Sequence, residues 1–371
     1  MAWSDSLERV FELVRKELIQ IIREPRVRRM ILVAPIIQLV VFGYAVSTDI
    51  RHTTTFVVDH DHTRASRELV EAFVASGYFR VVGRSDRPRD LVSALDHGDA
   101  IVGLQIPNGY AAALHGGEGA DVQIVLDGTQ SNTATVARGY AERIVQSVAA
   151  RAASLPQPAV DLRERAWFNP DLASRNYNVP AVVGTIILLV CLLLTSLAVV
   201  REREVGTLEQ LMVSPLTPGE LIAGKTIPFA LIGLFDLVLV TSVALLWFDV
   251  PFAGNAALLF LASALFLLSG LGVGLLVSTI SNTQQEAFMA TLLIFQPTML
   301  LSGFMFPVSS MPEAFQWITL ANPLRHYLEI VRGIFLKGAG LDLLWPQYAA
   351  LLVMGSVILW FASTRFRKRM G

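Results

Sequence analysis

Residues 180–225 read PAVVGTIILLVCLLLTSLAVVREREVGTLEQLMVSPLTPGELIAGK. The first part, Pro180–Val200, can cross a bilayer as a helix, because a membrane span needs about 20 mostly apolar residues. The second part, Arg201–Lys225, is polar and charged, and a new apolar stretch begins at Thr226. A short structured loop between two spans predicts a membrane protein that a soluble partner contacts at this loop.

The composition indicates several spans. The chain has 371 residues, of which 53% are hydrophobic and 16% charged, and its mean hydropathy is +0.52, which is too apolar for a soluble protein of this length. We expect a polytopic α-helical membrane protein with six transmembrane helices and a small α/β extracytoplasmic domain between the first and second spans. The six apolar stretches are about Met30–Ser47, Pro180–Val200, Thr226–Phe248, Asn255–Thr279, Ala287–Phe306 and Pro346–Ser363.

Lysine and arginine set the expected orientation, because they concentrate in cytoplasmic loops. Seven of them precede the first span and four follow the last, whereas the Asp249–Gly254 loop has none. Both termini and Arg201–Lys225 are therefore predicted to be cytoplasmic, and nothing in the charge pattern indicates nucleic acid. The predicted parts are a cytoplasmic interface helix (1–29), the first span (30–48), the extracytoplasmic domain (49–178), spans two to six (179–364) with the loop 201–225 and an outer segment 307–345, and a basic tail (365–371).

The first 29 residues predict an amphipathic helix on the membrane surface. Asp5 and Glu8 form a possible capping box at its start. The helix either anchors the first span or braces a partner, and the sequence leaves both roles open. Its apolar face is predicted to carry Leu7, Val10, Phe11, Val14, Leu18, Ile21 and Ile22.

The extracytoplasmic domain alternates strand-like and helix-like runs, which favours a sheet covered by helices. The one cysteine, Cys191, lies in the second span, so no intrachain disulfide stabilises this domain. The strand-like runs are Thr54–Val58, Arg80–Val82, Ala100–Ile106 and Val122–Leu126, and the helix-like runs are Thr63–Ser76, Arg87–Asp96 and Thr133–Ala153.

The segment Pro307–Trp345 is predicted to be a re-entrant or interfacial element that acts as an outer gate. Asn322 is a good N-cap, Pro323 suits the first helical position, and Lys337-Gly338 is a good stop. Leu324, Tyr327, Leu328, Val331 and Phe335 fall on one face of this helix. The residues assigned to the gate are Pro307, Pro312, Asn322, Pro323, Arg325, Glu329 and Arg332.

Gly219-Glu-Leu-Ile-Ala-Gly224-Lys225-Thr226 matches the phosphate-loop pattern, yet its context argues against nucleotide binding. A phosphate loop needs a preceding strand and free backbone N–H groups. Here Thr217 is an N-cap, Pro218 the first helical residue and Glu220 the end of a capping box, so the pattern is predicted to be helical. No catalytic residue and no cofactor are assigned to this chain.

The segment upstream of that pattern predicts a docking element. Thr207 with Gln210 makes another capping box, and Ser214-Pro215 ends the helix after about two turns. Leu208, Leu211 and Met212 are expected on one side, with Glu204 and Glu209 nearby.

Some polar residues need separate consideration. His52, His60 and His62 beside Asp59 and Asp61 could bind a metal, but the pattern also suits ordinary turns, and no metal site is assigned. Asp236 inside the third span is costly there and is expected to face a cavity or a partner. The milder cases of polar residues in or near the spans are Gln38, Glu286 and Gln296.

Several motifs resemble one known family. Glu204–Lys225 resembles the first cytoplasmic loop of type-2 ATP-binding-cassette (ABC) exporter permeases. Leu301–Pro312 (LSGFMFPVSSMP), with Asn322-Pro323 and Arg332-Gly333, is similar to their re-entrant segment. The borders of the external domain, Asp59-His-Asp61 with Ser66-Arg67 and Trp167-Phe-Asn-Pro170, are similar to those of the bacterial drug-exporter-like branch. The resemblance covers essentially the whole chain.

The resemblance implies a bacterial inner-membrane exporter subunit that moves a hydrophobic or amphipathic substrate. A separate ABC ATPase, which holds ATP and Mg, would grip a coupling helix in Glu204–Pro215, and two permease subunits, identical or paralogous, would form the transporter among membrane lipids, with a periplasmic adaptor protein left open. The rivals are an ion-coupled secondary transporter that uses Asp236 and a membrane-anchored sensor. The coupling residues are Glu204, Gly206, Thr207, Leu208, Glu209, Leu211, Met212 and Pro215.

Overall fold

The computed structural model describes residues 2–45, 52–116, 120–129, 131–152, 167–169, 173–206 and 217–370. The chain divides into a helical unit, residues 1–47 with 166–371, and a sheet unit, residues 48–165. In chain order the elements are α1 (Ala2–Arg23), α2 (Pro25–Ala45), β1 (Thr53–Asp59), α3 (Arg64–Ala75), β2 (Phe79–Ser85), α4 (Pro88–Asp96), β3 (Val102–Ile106), α5 (Tyr110–Gly116), β4 (Gln123–Leu126), α6 (Ser131–Ala152), α7 (Ser174–Val205), α8 (Pro218–Leu246), α9 (Ala256–Ile280), α10 (Gln284–Leu300), α11 (Glu313–Thr319), α12 (Pro323–Arg332) and α13 (Leu341–Met370).

The helical unit is built around α7. This helix contacts α2, α8, α9, α10 and α12, and 78% of its apolar stretch is buried inside the unit. Gly184 allows α12 to approach closely, since a Cβ at this position would lie 2.8 Å from Leu328 and 3.1 Å from Tyr327. A helix that is apolar on all sides and buried among neighbours is what a central span requires.

Five of the described helices are long and apolar enough to cross a membrane, namely α2, α7, α8, α9 and α13. The sequence predicts six spans, and the predicted fifth, Ala287–Phe306, coincides with α10. This helix has 17 residues and ends at Leu300, which gives a length of about 26 Å at 1.5 Å per residue. It stops there because the chain turns at Gly303, whose φ is +80°, a value that favours glycine.

The sheet unit has four strands in the order β2-β1-β3-β4. β1 is parallel to both β2 and β3, and β4 is antiparallel to β3. Each of the four strand-like runs predicted from the sequence overlaps one strand, and Thr63 caps α3 through its side chain. The short helix α5 was not predicted. The buried apolar residues of this unit include Val57, Leu69, Phe73, Phe79, Val102, Leu104 and Ile106.

The helix predicted over Pro323–Lys337 is present as α12 followed by one π-helical turn, Gly333–Lys337. It ends at Gly338, whose φ is +61°. The five residues predicted for its apolar face, Leu324, Tyr327, Leu328, Val331 and Phe335, are all fully buried. Before it, Pro307 precedes a short 3-10 turn and Pro312 precedes α11.

The N-terminal helix differs from its predicted bounds at both ends. It begins at Ala2 rather than near Asp5, and it ends at Arg23 because Pro25 opens α2. Of its predicted apolar face, Ile21 packs on the other helices, whereas the side chains of Leu7 and Phe11 are 69% and 64% exposed. The helix instead buries Leu13 and Glu17 against its neighbours, which leaves the apolar side free to lie on a membrane surface.

Candidate functional site

The structure describes the residues at both ends of the predicted docking loop. α7 is terminated by Gly206, whose φ is +79°, and α8 begins with the capping box that Thr217 and Glu220 form, as the sequence predicts. Residues 207–216 lie outside the described residues. The predicted coupling residues in that gap are Thr207, Leu208, Glu209, Leu211, Met212 and Pro215.

Four charged residues from three helices meet beside the ends of this loop. Lys225 of α8 lies 2.5 Å from Glu202 of α7 and 3.5 Å from Glu17 of α1, measured from its Nζ to their carboxylate oxygens. The Nζ of Lys16 lies 3.2 Å from Glu17 and 3.5 Å from Glu202. We call Lys16, Glu17, Glu202 and Lys225 the ion-pair cluster. It joins α1 to the helices on both sides of the loop.

The cluster is largely removed from solvent. The exposed fractions of Lys225, Glu17 and Glu202 are 2%, 5% and 9%, so each charge needs its partners to remain buried. Burial alone would lower the pKa of Lys16, but the charges of Glu17 and Glu202 and the hydrogen bonds to them outweigh burial and raise that pKa above its usual value. Lys16 therefore remains charged, and the cluster contains two cations and two carboxylates.

The phosphate-loop pattern of Gly219–Thr226 is part of α8, as predicted. Its backbone N–H groups are committed to the helix, and its lysine is in the ion-pair cluster. Gly224 serves packing, because a Cβ there would lie 2.3 Å from the side chain of Leu13. The glycine and lysine of the pattern thus hold α1 against α8 rather than a phosphate.

Two further contacts fasten α1 to this region. Glu220, at the start of α8, accepts hydrogen bonds from Arg9 at 2.7 Å and from the hydroxyl of Ser6 at 2.5 Å. Arg201 of α7 donates to Glu24, between α1 and α2, at 2.5 Å. Both ends of the loop are therefore tied to the N-terminal helix by charge-assisted bonds.

The end of α7 is also tied to the connection before α10. Glu204, a predicted coupling residue, accepts hydrogen bonds from the backbone N–H of Gln284 at 2.8 Å and from the Gln284 side chain. Arg203 donates to the carbonyl oxygen of Ser281 at 2.7 Å. Glu204 thus links two connections of the helical unit, a contact that the sequence did not indicate.

The predicted gate residues separate into two groups. Arg325 and Glu329 form an ion pair, with 3.3 Å between Nε and Oε1. Arg332 does not pair with Glu329 in this way. Its guanidinium stacks on Tyr177 at 3.7 Å from the ring centroid and donates to the carbonyl oxygen of Gly303 at 3.1 Å. Asn322 caps α12, in front of Pro323, by accepting from the N–H of Leu324.

The polar residues predicted inside the spans have different environments. Asp236 is fully buried, and among the described residues neither of its carboxylate oxygens has a hydrogen-bond partner. Gln38 is half-buried in α2, while Gln296 is exposed on α10. Glu286 is exposed in the first turn of α10 and accepts a hydrogen bond from the N–H of Asn282.

Asp236→Leu is expected to raise the thermal stability of the purified protein while it impairs transport, and Asp236→Asn should impair transport as well. A buried polar group without a partner costs about 1–3 kcal/mol, which an apolar side chain of similar size recovers. Thermal unfolding in detergent and transport in vesicles measure the two effects. Ser263→Ala is the control with the opposite sign, since the Ser263 hydroxyl is buried and hydrogen-bonded to Tyr327 at 2.7 Å. Equal destabilisation by both changes would contradict the prediction.

In the sheet unit, the crevice at the carboxyl ends of β1 and β3 is occupied by the chain itself. Ligands of parallel sheets bind where neighbouring connections diverge, which is this edge. Asp61 accepts there from the N–H groups of Gly109 at 2.9 Å and Ala111 at 3.1 Å, and from Thr63. Burial alone would raise the pKa of Asp61, but these hydrogen bonds hold it below its usual value. The carboxylate of Asp61 thus occupies the position in this crevice that an anionic ligand would take.

The three histidines do not share a ligand geometry. Nε2 of His60 lies 2.9 Å from the carbonyl oxygen of Asp86, and Nε2 of His62 lies 3.3 Å from the Asp86 carboxylate. His52 is located before β1 with a φ of +61°. Within the described residues, no group of three or more metal-ligating side chains is arranged to hold a metal ion.

Comparison with known proteins gives the family. A family model described as "ABC-2 family transporter protein" matches residues 27–364. The chain is 33% identical over 363 residues to the "Probable multidrug ABC transporter permease YbhR" of Escherichia coli K12, covering 97% of this chain and 99% of that protein. It is 32% identical to the "Probable multidrug ABC transporter permease YbhS" of the same strain, covering 90% of each. It is 30% identical to the "Inner membrane transport permease YhhJ", covering 90% of this chain and 92% of that protein.

The family match extends from α2 into α13 and agrees with the family resemblance of the sequence. The chain belongs to the ABC-2 family of transporter proteins.

Proposed function

We propose that this chain is the membrane subunit of an ATP-driven exporter, energised by a separate ABC ATPase. The observation that carries the proposal is the fixed base of the α7–α8 loop, where buried ion pairs connect both loop ends to α1. Helix ends held in this way can receive a push from a soluble partner and pass it into α7 and α8. The ATPase is expected to contact a coupling helix within Glu204–Pro215.

The proposed topology has six crossings, with α10 as the fifth. Both termini, α1 and the α7–α8 loop are cytoplasmic, and the sheet unit is extracytoplasmic. The lysine and arginine distribution supports this orientation. The 17 residues of α10 are at the lower end of the roughly 17–25 that a helical crossing needs.

The cargo is proposed to be a hydrophobic or amphipathic molecule, exported by two such permeases, identical or paralogous. Relatives named multidrug permeases support an exporter of this kind. Six-span subunits of this family would have to assemble in pairs to enclose a pathway for the cargo.

No specific contact among the described residues supports either alternative function, the ion-coupled secondary transporter or the membrane-anchored sensor. A secondary transporter would use Asp236, but this carboxyl group is closed off from solvent in this structure. A sensor would need a free ligand site in the sheet unit, whereas Asp61 occupies the expected crevice.

Reconstitution tests the proposal. The chain and its ATPase, purified together from the native host, should export an amphipathic dye in vesicles when ATP is present. Vesicles that contain the chain alone, with an imposed proton gradient and no ATP, should show no uphill transport. Uphill transport in the second case would establish the secondary transporter instead.

The segment Pro307–Gly338 is proposed to be an outer gate rather than a further crossing. In a Cys191→Ser background, Glu329→Cys should react with an impermeant thiol reagent from outside, since the Glu329 side chain is 42% exposed. Arg325→Cys should react more slowly, because the Arg325 side chain is 19% exposed. Reactivity should change when ATP is trapped.

The buried neighbour Ile330 provides the matched control, and Ile330→Cys should remain unlabelled. Labelling of Glu329→Cys from the cytoplasmic side alone would show that the topology is wrong from the fifth span onward.

A further inference from the structure

A cleft opens between the first two helices and the adjoining ends of α7 and α8. We call it the α1–α2 cleft. Its volume is about 680 Å³, which lies within the roughly 300–1,000 Å³ of small-molecule sites. The cleft is large enough for a drug-sized molecule or for part of a lipid.

The lining of the cleft changes from polar to apolar along the helices. Its polar part is lined by charged residues of α1, the α1–α2 break and the end of α7. The apolar part is further along each helix in the direction of its span, past Glu24 in α2, before Arg201 in α7 and past Lys225 in α8. The apolar lining includes Val27, Met30, Leu194, Leu197, Ala198 and Phe229. This gradient suits an amphipathic molecule whose apolar part lies at the depth of the lipid chains.

The charges of the polar part are balanced once Lys225 is included. Two cations and three carboxylates line the cleft, and Lys225 lies behind this lining, 2.5 Å from Glu202. Arg201 pairs with Glu24. A ligand with a net charge would therefore add an uncompensated charge to a half-buried site. A zwitterion adds none, and it can insert between Arg201 and Glu24, whose side chains are 43% and 28% exposed.

We propose that the α1–α2 cleft binds an amphipathic molecule with a zwitterionic head, taken from the cytoplasmic leaflet. Its anionic group pairs with Arg201 and with Lys16, which is 48% exposed, while its cationic group pairs with Glu24. Its apolar part lies against Leu197 and Phe229. The assignment of the cytoplasmic leaflet rests on the membrane orientation given under the proposed function, whereas the binding itself does not.

The cleft shares residues with the ion-pair cluster beside the α7–α8 loop. Glu17 and Glu202 line the cleft and also belong to the ion-pair cluster that ties α1 to both loop ends. A molecule in the cleft would therefore contact the same helices that receive the proposed push from the ATPase. Binding should therefore change the strength of the contacts that hold α1 against α7 and α8.

The first test measures head-group preference on the purified chain without any ATPase, so that a failed coupling proposal cannot affect the result. Native mass spectrometry compares bound phosphatidylethanolamine, phosphatidylcholine and phosphatidylglycerol of equal chain length. We expect the zwitterionic lipids to be preferred about fivefold, the size expected from one exposed ion pair. Equal binding, or a preference for phosphatidylglycerol, would overturn the assigned head group.

Two charge variants locate the head. Glu24→Gln leaves Arg201 without its carboxylate partner and should shift the preference toward phosphatidylglycerol. Arg201→Gln should shift the preference toward a cationic amphiphile of equal chain length. Arg64→Gln, which removes an exposed arginine of the sheet unit, is the control and should change nothing. Unchanged preferences in both variants would place the head elsewhere.

A tryptophan scan locates the apolar part. Leu197→Trp fills the cleft and should reduce lipid binding about tenfold or more, roughly the effect of losing one buried anchor. The matched control is Leu231→Trp on the exposed side of α8, where the leucine is 47% exposed. If Leu197→Trp unfolds the protein, Phe229→Ala provides the same test. Equal binding by Leu197→Trp, or by Phe229→Ala, and the control would exclude the cleft.

The same chemistry can come from a resident phospholipid or from cargo. Labelled phosphatidylethanolamine that remains bound during ATP turnover with the ATPase identifies a resident lipid. Displacement of this lipid by a zwitterionic amphiphile that is itself exported identifies cargo. Either result supports the site, and failure to bind either molecule overturns it.

Discussion

Lys225→Met is expected to lower the free energy of unfolding of the helical unit by about 3–5 kcal/mol, because it removes the nearest cation of the buried Glu202 carboxylate and one of the two cations beside the buried Glu17 carboxylate. Glu202 and Glu17 would then depend on Lys16, which is half-exposed. Thermal and denaturant unfolding in detergent measure the loss. The exposed pair of Arg64 and Glu68 gives the control, and Arg64→Met should cost about 0–1 kcal/mol.

A double-mutant cycle separates the charge effect from lost packing. Lys225→Met combined with Glu202→Gln should be less destabilised than the sum of the two single changes, since the second change removes one of the stranded charges. Additive effects would show that the ion pair contributes little.

The single variant Lys225→Met also tests the phosphate-loop pattern, because neither the wild-type chain nor Lys225→Met should bind ATP. Saturable ATP binding lost in Lys225→Met would contradict the helical assignment of the pattern.

Met212→Glu is expected to reduce ATP-driven transport by on the order of 30-fold while the spans insert normally, because a buried interface residue is worth about 2 kcal/mol or more. Glu209→Ala and Glu204→Ala should weaken coupling in the same direction. For Glu204 the loss of its contacts to Gln284 adds to the effect. Export and ATP hydrolysis, measured together in vesicles that contain both subunits, check the prediction.

The control for Met212→Glu is on the same predicted helix. Val213→Glu adds the same charge about 100° around the helix axis, away from Leu208 and Leu211, and should have a smaller effect. If Met212→Glu and the two alanine variants all transport at the wild-type rate, the loop is a connector and the coupling proposal fails.

The features that the sequence predicts well are local ones. The capping box of Thr217 and Glu220 and the N-cap at Asn322 each involve residues three positions apart or fewer, so the short-range pattern contains all the information. The buried face of α12 follows from helical periodicity in the same way. The four strands of the sheet unit were found because β-branched and apolar residues are grouped between turn residues.

The ion-pair cluster could not be predicted, because its members are far apart in the chain. Glu17 and Lys225 are separated by 208 positions, and no local pattern connects them. The side of α1 that packs on α8 could not be predicted for the same reason, since Leu13 meets Gly224 at a contact that no local pattern contains. The sequence predicts six spans, whereas five of the described helices are long and apolar enough to cross a membrane, because the turn at Gly303 ends α10 after 17 residues.

The distance between Glu17 and Lys225 along the chain also determines when the protein can be completed during synthesis. The ribosome makes α1 first, and more than 200 residues must follow before Lys225 exists to neutralise Glu17. During that interval the exposed side of α1, with Leu7 and Phe11, can hold the helix on the bilayer surface near the nascent spans. The buried charges then enter the structure already paired, once α7 and α8 are in place. The packing of α1 against α7 and α8 is thus expected to be a late step of biogenesis. A chain truncated before Lys225 should retain an N-terminal helix that a protease can reach.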